Sequence, residues 1–230
     1  ELLTEMDLDS AIEFAAAIEI FNADRKELDK KITDQAIIQI IDTEEEQRFS
    51  TVVYQEDWHK GVIGIVASRL IEKYYRPTLV FTKSGDKLAA SARSVKGFDV
   101  YEALQECSEF IEQFGGHKYA AGLTLLPENY INFKNKFEEV VERTIDKKLL
   151  TPEISVDAEI DLSEITPKFF RIIQQMAPFG PLNMKPTFKS TCVRDNGYGK
   201  QVGADKTHLK LNVFQGDNKK TYNAIGFNLG

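Results

Sequence analysis

Metal-ligating side chains are scarce in this sequence: 230 residues contain three histidines and two cysteines. His59, His117 and His208 never fall at H-x-x-x-H spacing, which excludes a helix-borne zinc hydrolase site. Cys107 and Cys192 stand alone and far apart with no C-x-x-C, which excludes a zinc ribbon or a disulfide framework. No run approaches the roughly 20 apolar residues of a membrane-spanning helix, so no membrane partner is expected. The acidic start lacks a basic-then-apolar pattern, so nothing argues for export. Asp-His-His and clustered strand-end carboxylates are also missing, and no nucleophile or metal site is assigned. Glycine and proline are absent from the first 60 residues. The remaining composition, 42% hydrophobic and 28% charged, belongs to folded chains rather than disordered ones. The length suits one large domain or two smaller ones.

The net charge of −7 is unevenly placed. Residues 1–50 carry 14 acidic and 5 basic side chains, residues 51–150 carry 14 of each, and residues 151–230 carry 8 acidic and 10 basic. Within 185–220 there are 8 basic and 3 acidic residues. Backbone contact to a polyanion requires such a basic tract, because each neutralised phosphate releases counterions. Lysines that merely solvate a surface give the same count.

Three blocks follow. Residues 1–47 read as a long helix from Asp9 to about Asp42, with Ser10-Ala-Ile-Glu13 as a capping box. Phe14, Ile18, Phe21, Leu28 and Ile32 form its apolar stripe, interrupted at Arg25. Such a helix spans roughly 50 Å and suits a strut between domains or one arm of a helical hairpin. Residues 48–150 alternate strand and helix signals: strands at 51–55, 78–82, 87–92 and 122–126, and helices at 61–75, 100–114 and 127–150. The helix over 100–114 is expected to end at Gly115-Gly116. This predicts an α/β layer structure with a mixed sheet. Residues 151–230 change character, with strand-like runs at 154–160, 187–193, 208–214 and 222–227 around one short helix at 167–176. They predict a small all-β, OB-like antiparallel barrel, cut short at Gly230.

Three motifs carry candidate chemistry. In Gly115-Gly116-His117-Lys118-Tyr119-Ala120-Ala121-Gly122, paired glycines let the backbone approach a ligand, and His117 offers an imidazole to a phosphate oxygen. A helix C-cap followed by a surface histidine would look the same. Ser91 and Arg93, followed by Ser94, project from one strand face as a hydroxyl–guanidinium phosphate clamp, although an edge strand with polar residues facing water also fits. His59-Lys60 precedes an apolar helix whose N-terminus favours an anion; Gly61 and Gly64 there suit close helix–sheet packing. In the last block Tyr198, Lys200, His208 and Lys210 mix aromatic and basic groups, as small single-strand-binding barrels do.

Trp58-His59-Lys60-Gly61-Val62-Ile63-Gly64-Ile65-Val66-Ala67-Ser68-Arg69-Leu70, Ser91-x-Arg93-Ser94 and Phe114-Gly115-Gly116-His117-x-x-Ala120-Ala121-Gly122 resemble the DHH-associated domain of the RecJ single-strand-specific exonucleases. Phe21-Asn22-x-x-Arg25 resembles that family's connecting helix. Ala177-Pro178-Phe179-Gly180-x-x-Asn183-x-x-Pro186-x-Phe188, His208-Leu-Lys210-Leu and Ala224-Ile-Gly226-Phe227 resemble its OB-fold, with Met184-Lys185 departing from the family's frequent Pro-Glu. The resemblance implies a processive 5′-to-3′ exonuclease of DNA repair and recombination, a cytoplasmic monomer acting on single-stranded DNA, with a single-strand-binding protein as a partner. It implies Mn2+ or Mg2+ held by a DHH domain absent from this sequence, no metal in this chain, and no cleavage by this chain alone. By position, Ser91, Arg93, Ser94, Gly115, Gly116, His59 and Arg25 would contact the phosphate backbone. His117 would face the substrate near the metals. Tyr198, Lys200, His208 and Lys210 would be OB-fold contacts. A phosphodiesterase of short oligonucleotides or cyclic dinucleotides, or a non-catalytic single-strand-binding module, is the alternative.

Overall fold

The computed structural model describes residues 2–217 and 220–230. The chain forms two compact units, Glu1–Pro152 and Glu153–Gly230. No helix among the described residues is long and apolar enough to cross a membrane.

The first unit begins with α1 (Leu8–Asp42). Its N-cap is Asp7, whose carboxylate accepts from the Ser10 N–H at 2.9 Å. The capping box expected at Ser10 is therefore not formed: the ionised carboxylate one turn earlier is the better acceptor, and Ser10 serves as its donor. The apolar stripe also holds along only part of the helix. Ile32, Ala36 and Ile40 are buried, whereas Ile18 and Phe21 are exposed. Leu28 still packs against the cluster that holds Ile32, Ala36 and Ile40, and the stripe loses its cover in the turns that precede it, at Phe21 and Ile18.

Then follow β1 (Thr51–Tyr54), α2 (Ile63–Tyr74), β2 (Thr78–Ser84), β3 (Lys87–Arg93), α3 (Val100–Gln105), β4 (Gln113–His117), β5 (Ala120–Leu125) and α4 (Tyr130–Thr144). The sheet order is β1-β2-β3-β5-β4, with β1 parallel to β2 and the other pairs antiparallel. The sheet is mixed, as expected. The helix expected over 100–114 is not continuous: α3 stops at Gln105, and Gln113–His117 is an edge strand. Pairing of Phe114 with Leu123 and of Gly115 with Gly122 outweighs the local helix signal, so Gly115-Gly116 is strand rather than cap.

Alternation of side chains sorts the sheet into two faces. One face carries Val52, Leu79, Phe81, Ala90, Ala92, Leu123 and Leu125 and is closed by Phe133, Phe137, Val140 and Val141 of α4. On the other, α2 and the C-terminal half of α1 cover Val53 and Val80. Burying these side chains stabilises the unit by about 1.5–3 kcal/mol for each large one. Gln39 of α1 bonds both backbone groups of Tyr54, so the outer edge of β1 is capped. Buried Arg76 donates to the Glu45, Glu46 and Arg48 carbonyls and to Thr51 Oγ1 at 2.6–2.9 Å, fixing the turn between α1 and β1.

The second unit holds β6 (Ala158–Glu159), α5 (Pro167–Gln175), β7 (Phe188–Lys189), β8 (Val193–Asp195), β9 (Lys200–Val202), β10 (His208–Gln215) and β11 (Tyr222–Gly226). Its antiparallel strands make an OB-like arrangement. β10 is central, with β11 on one side and β8 and β9 in tandem on the other. Against expectation, β6 and β7 are two-residue strands and pair in parallel, and β9 is a strand that the sequence pattern did not disclose. Thr166 caps α5, accepting from Phe169 N–H at 3.2 Å, and α5 turns Phe169 and Ile173 into an apolar groove with Val193, Val213 and Ala224. Leu162 is the one buried residue of this unit among those described.

Candidate nucleic-acid interface

Strand register brings the predicted groups of the first unit together. Residues directly opposite each other across a sheet project from the same face. Val53, Val80, Ser91, Gly122 and Gly115 form one such row across all five strands. The next row in the same face holds Thr78, Arg93, Ala120 and His117. Helix α2 covers the β1 and β2 end of these rows. The helix also reaches β3, where Ser91 and Arg93 are half-buried beside it, whereas His117 on the edge strand is exposed. Arg93 and His117 stand two strands apart, roughly 10 Å.

The first turn of α2 abuts this row. A Cβ on Gly64 would sit 2.8 Å from Arg93 Nη2 and 3.0 Å from Ser91 Oγ, so the absent side chain lets the helix end approach the clamp. Val62 occupies the N-cap position and makes no side-chain cap bond; the first-turn amides therefore add positive potential beside Arg93. Arg93 Nη1 donates to Ser91 Oγ at 3.0 Å and to the Ala92 carbonyl at 2.8 Å. Neither partner is a carboxylate, and the guanidinium is half-buried. A half-buried cation held by neutral acceptors, with donors to spare, is arranged for an anionic ligand.

All three imidazoles accept a backbone N–H at Nδ1: His117 from Tyr119 at 3.2 Å, His59 from Gly61 at 3.0 Å and His208 from Asn228 at 3.1 Å. In the neutral ring this places the proton on Nε2, leaving each histidine one outward donor. His117 is thus held at a strand end rather than following a helix cap. Ring and backbone also meet at His59, where a Cβ on Gly61 would lie 2.9 Å from the imidazole; Gly61 lets the ring fold back on its own chain.

Other predicted residues are placed differently. Ser94 Oγ donates to the Phe98 carbonyl at 2.9 Å, so its hydroxyl closes a loop. Gly116 has φ +150°, and a Cβ there would meet the Ala120 oxygen at 2.3 Å; glycine is required at 116 by the fold. Arg25 is half-exposed on α1, one turn before Asp29, and is joined to none of the other predicted groups by a described hydrogen bond or ion pair. Lys60 rather than His59 lines the hollow beside Gly115 and Gly122. Gln113 and Thr124 escaped the sequence reading, which named Lys60 and Gly122 only within their motifs; a glycine inside a strand was the available signal. Cys107 is buried, which pushes its thiol up to about 12 and removes it as a nucleophile.

In the second unit, Lys200, Lys210 and Ile225 form one row across β9, β10 and β11. His208 shares their face, with its ring 5.3 Å from that of Phe227. Asn196, Asn212 and Asn223 continue this face as an amide ladder with bonds of 2.7 and 3.2 Å. Tyr198, 79% exposed, stands on the turn between β8 and β9. Asp195 shapes that turn: Asn212, Gly197 and Gly199 N–H groups bond its carboxylate and hold it below the usual carboxylate range. The face is therefore basic, amide-rich and aromatic, and the opposite face is the apolar one.

Two domain families match the chain, the DHHA1 domain over residues 46–143 and the RecJ OB domain over residues 156–230. Among similar proteins, the single-stranded-DNA-specific exonuclease RecJ of Bacillus subtilis (strain 168) is 33% identical over 233 residues, covering all of this chain and 29% of that protein. RecJ of Haemophilus influenzae is 29% identical over 238 residues, covering all of this chain and 41% of its own length. The chain thus spans well under half the length of these relatives. Two crystal structures of Thermus thermophilus RecJ share the fold. The one in complex with Mg2+ superposes with a TM-score of 0.76 at 23% identity, over 95% of this chain and 34% of that one. The one in complex with Mn2+ has a TM-score of 0.73 at 25% identity, over 91% and 30%. With a DHHA1 domain followed by a RecJ OB domain, and RecJ relatives that match it along its entire length, the chain belongs to the RecJ family.

Proposed function

We propose that this chain is the substrate-binding part of a metal-dependent 5′-to-3′ single-stranded-DNA exonuclease. The observation that carries the reading is the row in which Ser91 and Arg93, with the α2 N-terminus against them, share a sheet face with His117. Arg93 and Ser91 bind the terminal 5′-phosphate, the guanidinium through two oxygens at once. His117 donates its Nε2–H to a phosphate oxygen farther along the strand. The basic face of the second unit, with Lys200, Lys210, His208 and Tyr198, holds the single strand by phosphate contact and stacking. The similarity of residues 156–230 to the RecJ OB domain favours this over a phosphodiesterase of short oligonucleotides or cyclic dinucleotides, whose resemblance ends with the DHH-associated domain.

Among the described residues no three His, Cys, Asp or Glu side chains gather into a metal-holding group. The residues present do not fit the Mg2+ or Mn2+ of the RecJ crystal structures. This chain binds and orients; hydrolysis belongs to the DHH domain of a longer parent protein.

The test compares binding of 5′-phosphorylated and 5′-hydroxyl single strands. Wild type prefers the phosphorylated strand, and Arg93→Ala removes the preference, a loss of about 1.5–3 kcal/mol for hydrogen bonds to a charged group. Equal affinity of wild type for the two strands would refute the phosphate site. In the parent enzyme with manganese, Arg93→Ala and His117→Ala slow the release of 5′-labelled nucleotides.

A further inference from the structure

Gly115 and Gly122 face each other across β4 and β5, and the fold requires neither to be glycine. Neither has a positive φ. A Cβ on Gly115 would meet nothing within 4 Å, and one on Gly122 would meet only the Ala90 oxygen, at 3.8 Å. Gly116 beside them shows what a required glycine looks like, with its positive φ and its 2.3 Å approach to the Ala120 oxygen. Glycine within a strand weakens it, and marks places where a ligand or another backbone comes close. Among the described residues no backbone atom but the Ala90 oxygen comes within 4 Å of a Cβ at either position.

The space above the two glycines is a trough of about 290 Å³. Ala89, Ala90, Phe114 and Leu123 line it beside the glycines, and its polar lining residues are Lys60, Gln113 and Thr124. The described hydrogen bond of Lys60 goes to Ser84 Oγ at 3.4 Å, whereas its neighbours Lys83 and Lys87 are each paired with a carboxylate, Glu56 and Glu112. Gln113 and Thr124 share a row with Ala89, two rows beyond Arg93. Ser91 stands in the glycines' own row, one strand from Gly122 and about 5 Å away, and Arg93 stands one row off, about 7 Å. That is the reach from a 5′-phosphate to its own base.

Resting on the phosphate reading above, we infer that this trough receives the nucleobase of the 5′-terminal nucleotide. A largely apolar lining suits a planar ring and does not suit a second phosphate. The polar lining groups are an amide with both donors and an acceptor, a rotating hydroxyl and a flexible ammonium. They satisfy the edge of any base and select none, which fits removal of nucleotides irrespective of sequence.

The experiment uses the 230-residue chain and two 5′-phosphorylated single strands, one ending in thymidine and one ending in an abasic residue. Wild type binds the abasic-ended strand about tenfold more weakly, the scale of one packed base. Gly122→Ala and Gly115→Ala, whose methyl groups enter the trough without clashing with the protein, bring the thymidine-ended strand down to the abasic level. Their melting temperatures stay at or above that of wild type. Should either variant fail to fold, Lys60→Ala at an exposed position gives the same reading through a smaller ratio between the two strands. A wild-type ratio near one, or a folded Gly122→Ala that keeps the full ratio, overturns the inference. Arg93→Ala separates the two proposals: it weakens both strands equally if the phosphate site is correct, and it leaves the thymidine-to-abasic ratio to report on the trough alone.

Discussion

A methyl group at position 64 would lie 2.8 Å from Arg93 Nη2 and 3.0 Å from Ser91 Oγ, and this single contact ties helix packing to the proposed phosphate site. The atom in the way is the end of a flexible side chain, so the chain folds with alanine there and the arginine moves. Alanine inside a helix is favoured over glycine by about 0.5–1 kcal/mol. Gly64→Ala is therefore expected to keep or raise the melting temperature while weakening binding of a 5′-phosphorylated strand about tenfold, the loss of one charge-assisted hydrogen bond. Calorimetry and fluorescence anisotropy on the same preparation check both halves. Weakened binding accompanied by a lower melting temperature would show that Gly64 serves packing alone. The sequence placed Gly64 next to an apolar helix and so disclosed its packing role. It did not disclose what the helix packs against, because Ser91 and Arg93 lie some thirty residues on and reach Gly64 only through the β2–β3 hairpin.

Helix α1 is one element by its hydrogen bonds and two by its packing. From Asp29 onward it buries Ile32, Ala36 and Ile40 against α2, and Asp29, 1% exposed, is paired with Arg69 of α2. That ion pair holds Arg69's proton more tightly and fixes the crossing of the two helices. Before Asp29, Phe21 and Ile18 face solvent, and an isolated helical segment of this length is marginal in water. Amide hydrogen exchange should therefore divide the helix: slow from Asp29 to Asp42, fast from Leu8 to about Asp24. Uniform protection along α1 would contradict this division. The apolar period made the helix legible, but periodicity says nothing about whether a partner surface exists. The same limit explains β4. Residues 113–117 have helical neighbours and two glycines, and only pairing with β5, set by the turn at Lys118-Tyr119, makes them a strand. By contrast β2 and β3 were legible because a Gly85-Asp86 turn joins two apolar runs locally, and Gly85 adopts φ +67° there. In the second unit β9 stayed hidden because Lys200-Gln201-Val202 has no apolar alternation; its ladder to His208–Lys210 is what defines it.

At the scale of the whole chain, an acidic net charge coexists with a proposed polyanion ligand because the two signs occupy different segments. Residues 1–50 hold 14 acidic side chains against 5 basic, largely on α1, while Lys200 and Lys210 stand directly opposite each other on β9 and β10. Like charges in opposed positions destabilise a sheet, so this pair costs stability in the free chain and is relieved when a phosphate lies between them. For single strands each neutralised phosphate contributes about −0.7 to the slope of log K against log salt. Lys200→Gln and Lys210→Gln should each make the slope shallower by about 0.7 and leave the fold as stable as before or slightly more so. Lys30→Gln with Lys31→Gln changes the net charge of the chain by the same amount as the double β-strand variant, but at exposed positions on the acidic helix. A local phosphate contact predicts that this second pair leaves the slope unaltered. A field set by net charge alone predicts that both pairs shift it equally, and that result would remove the β9–β10 face from the proposed DNA path.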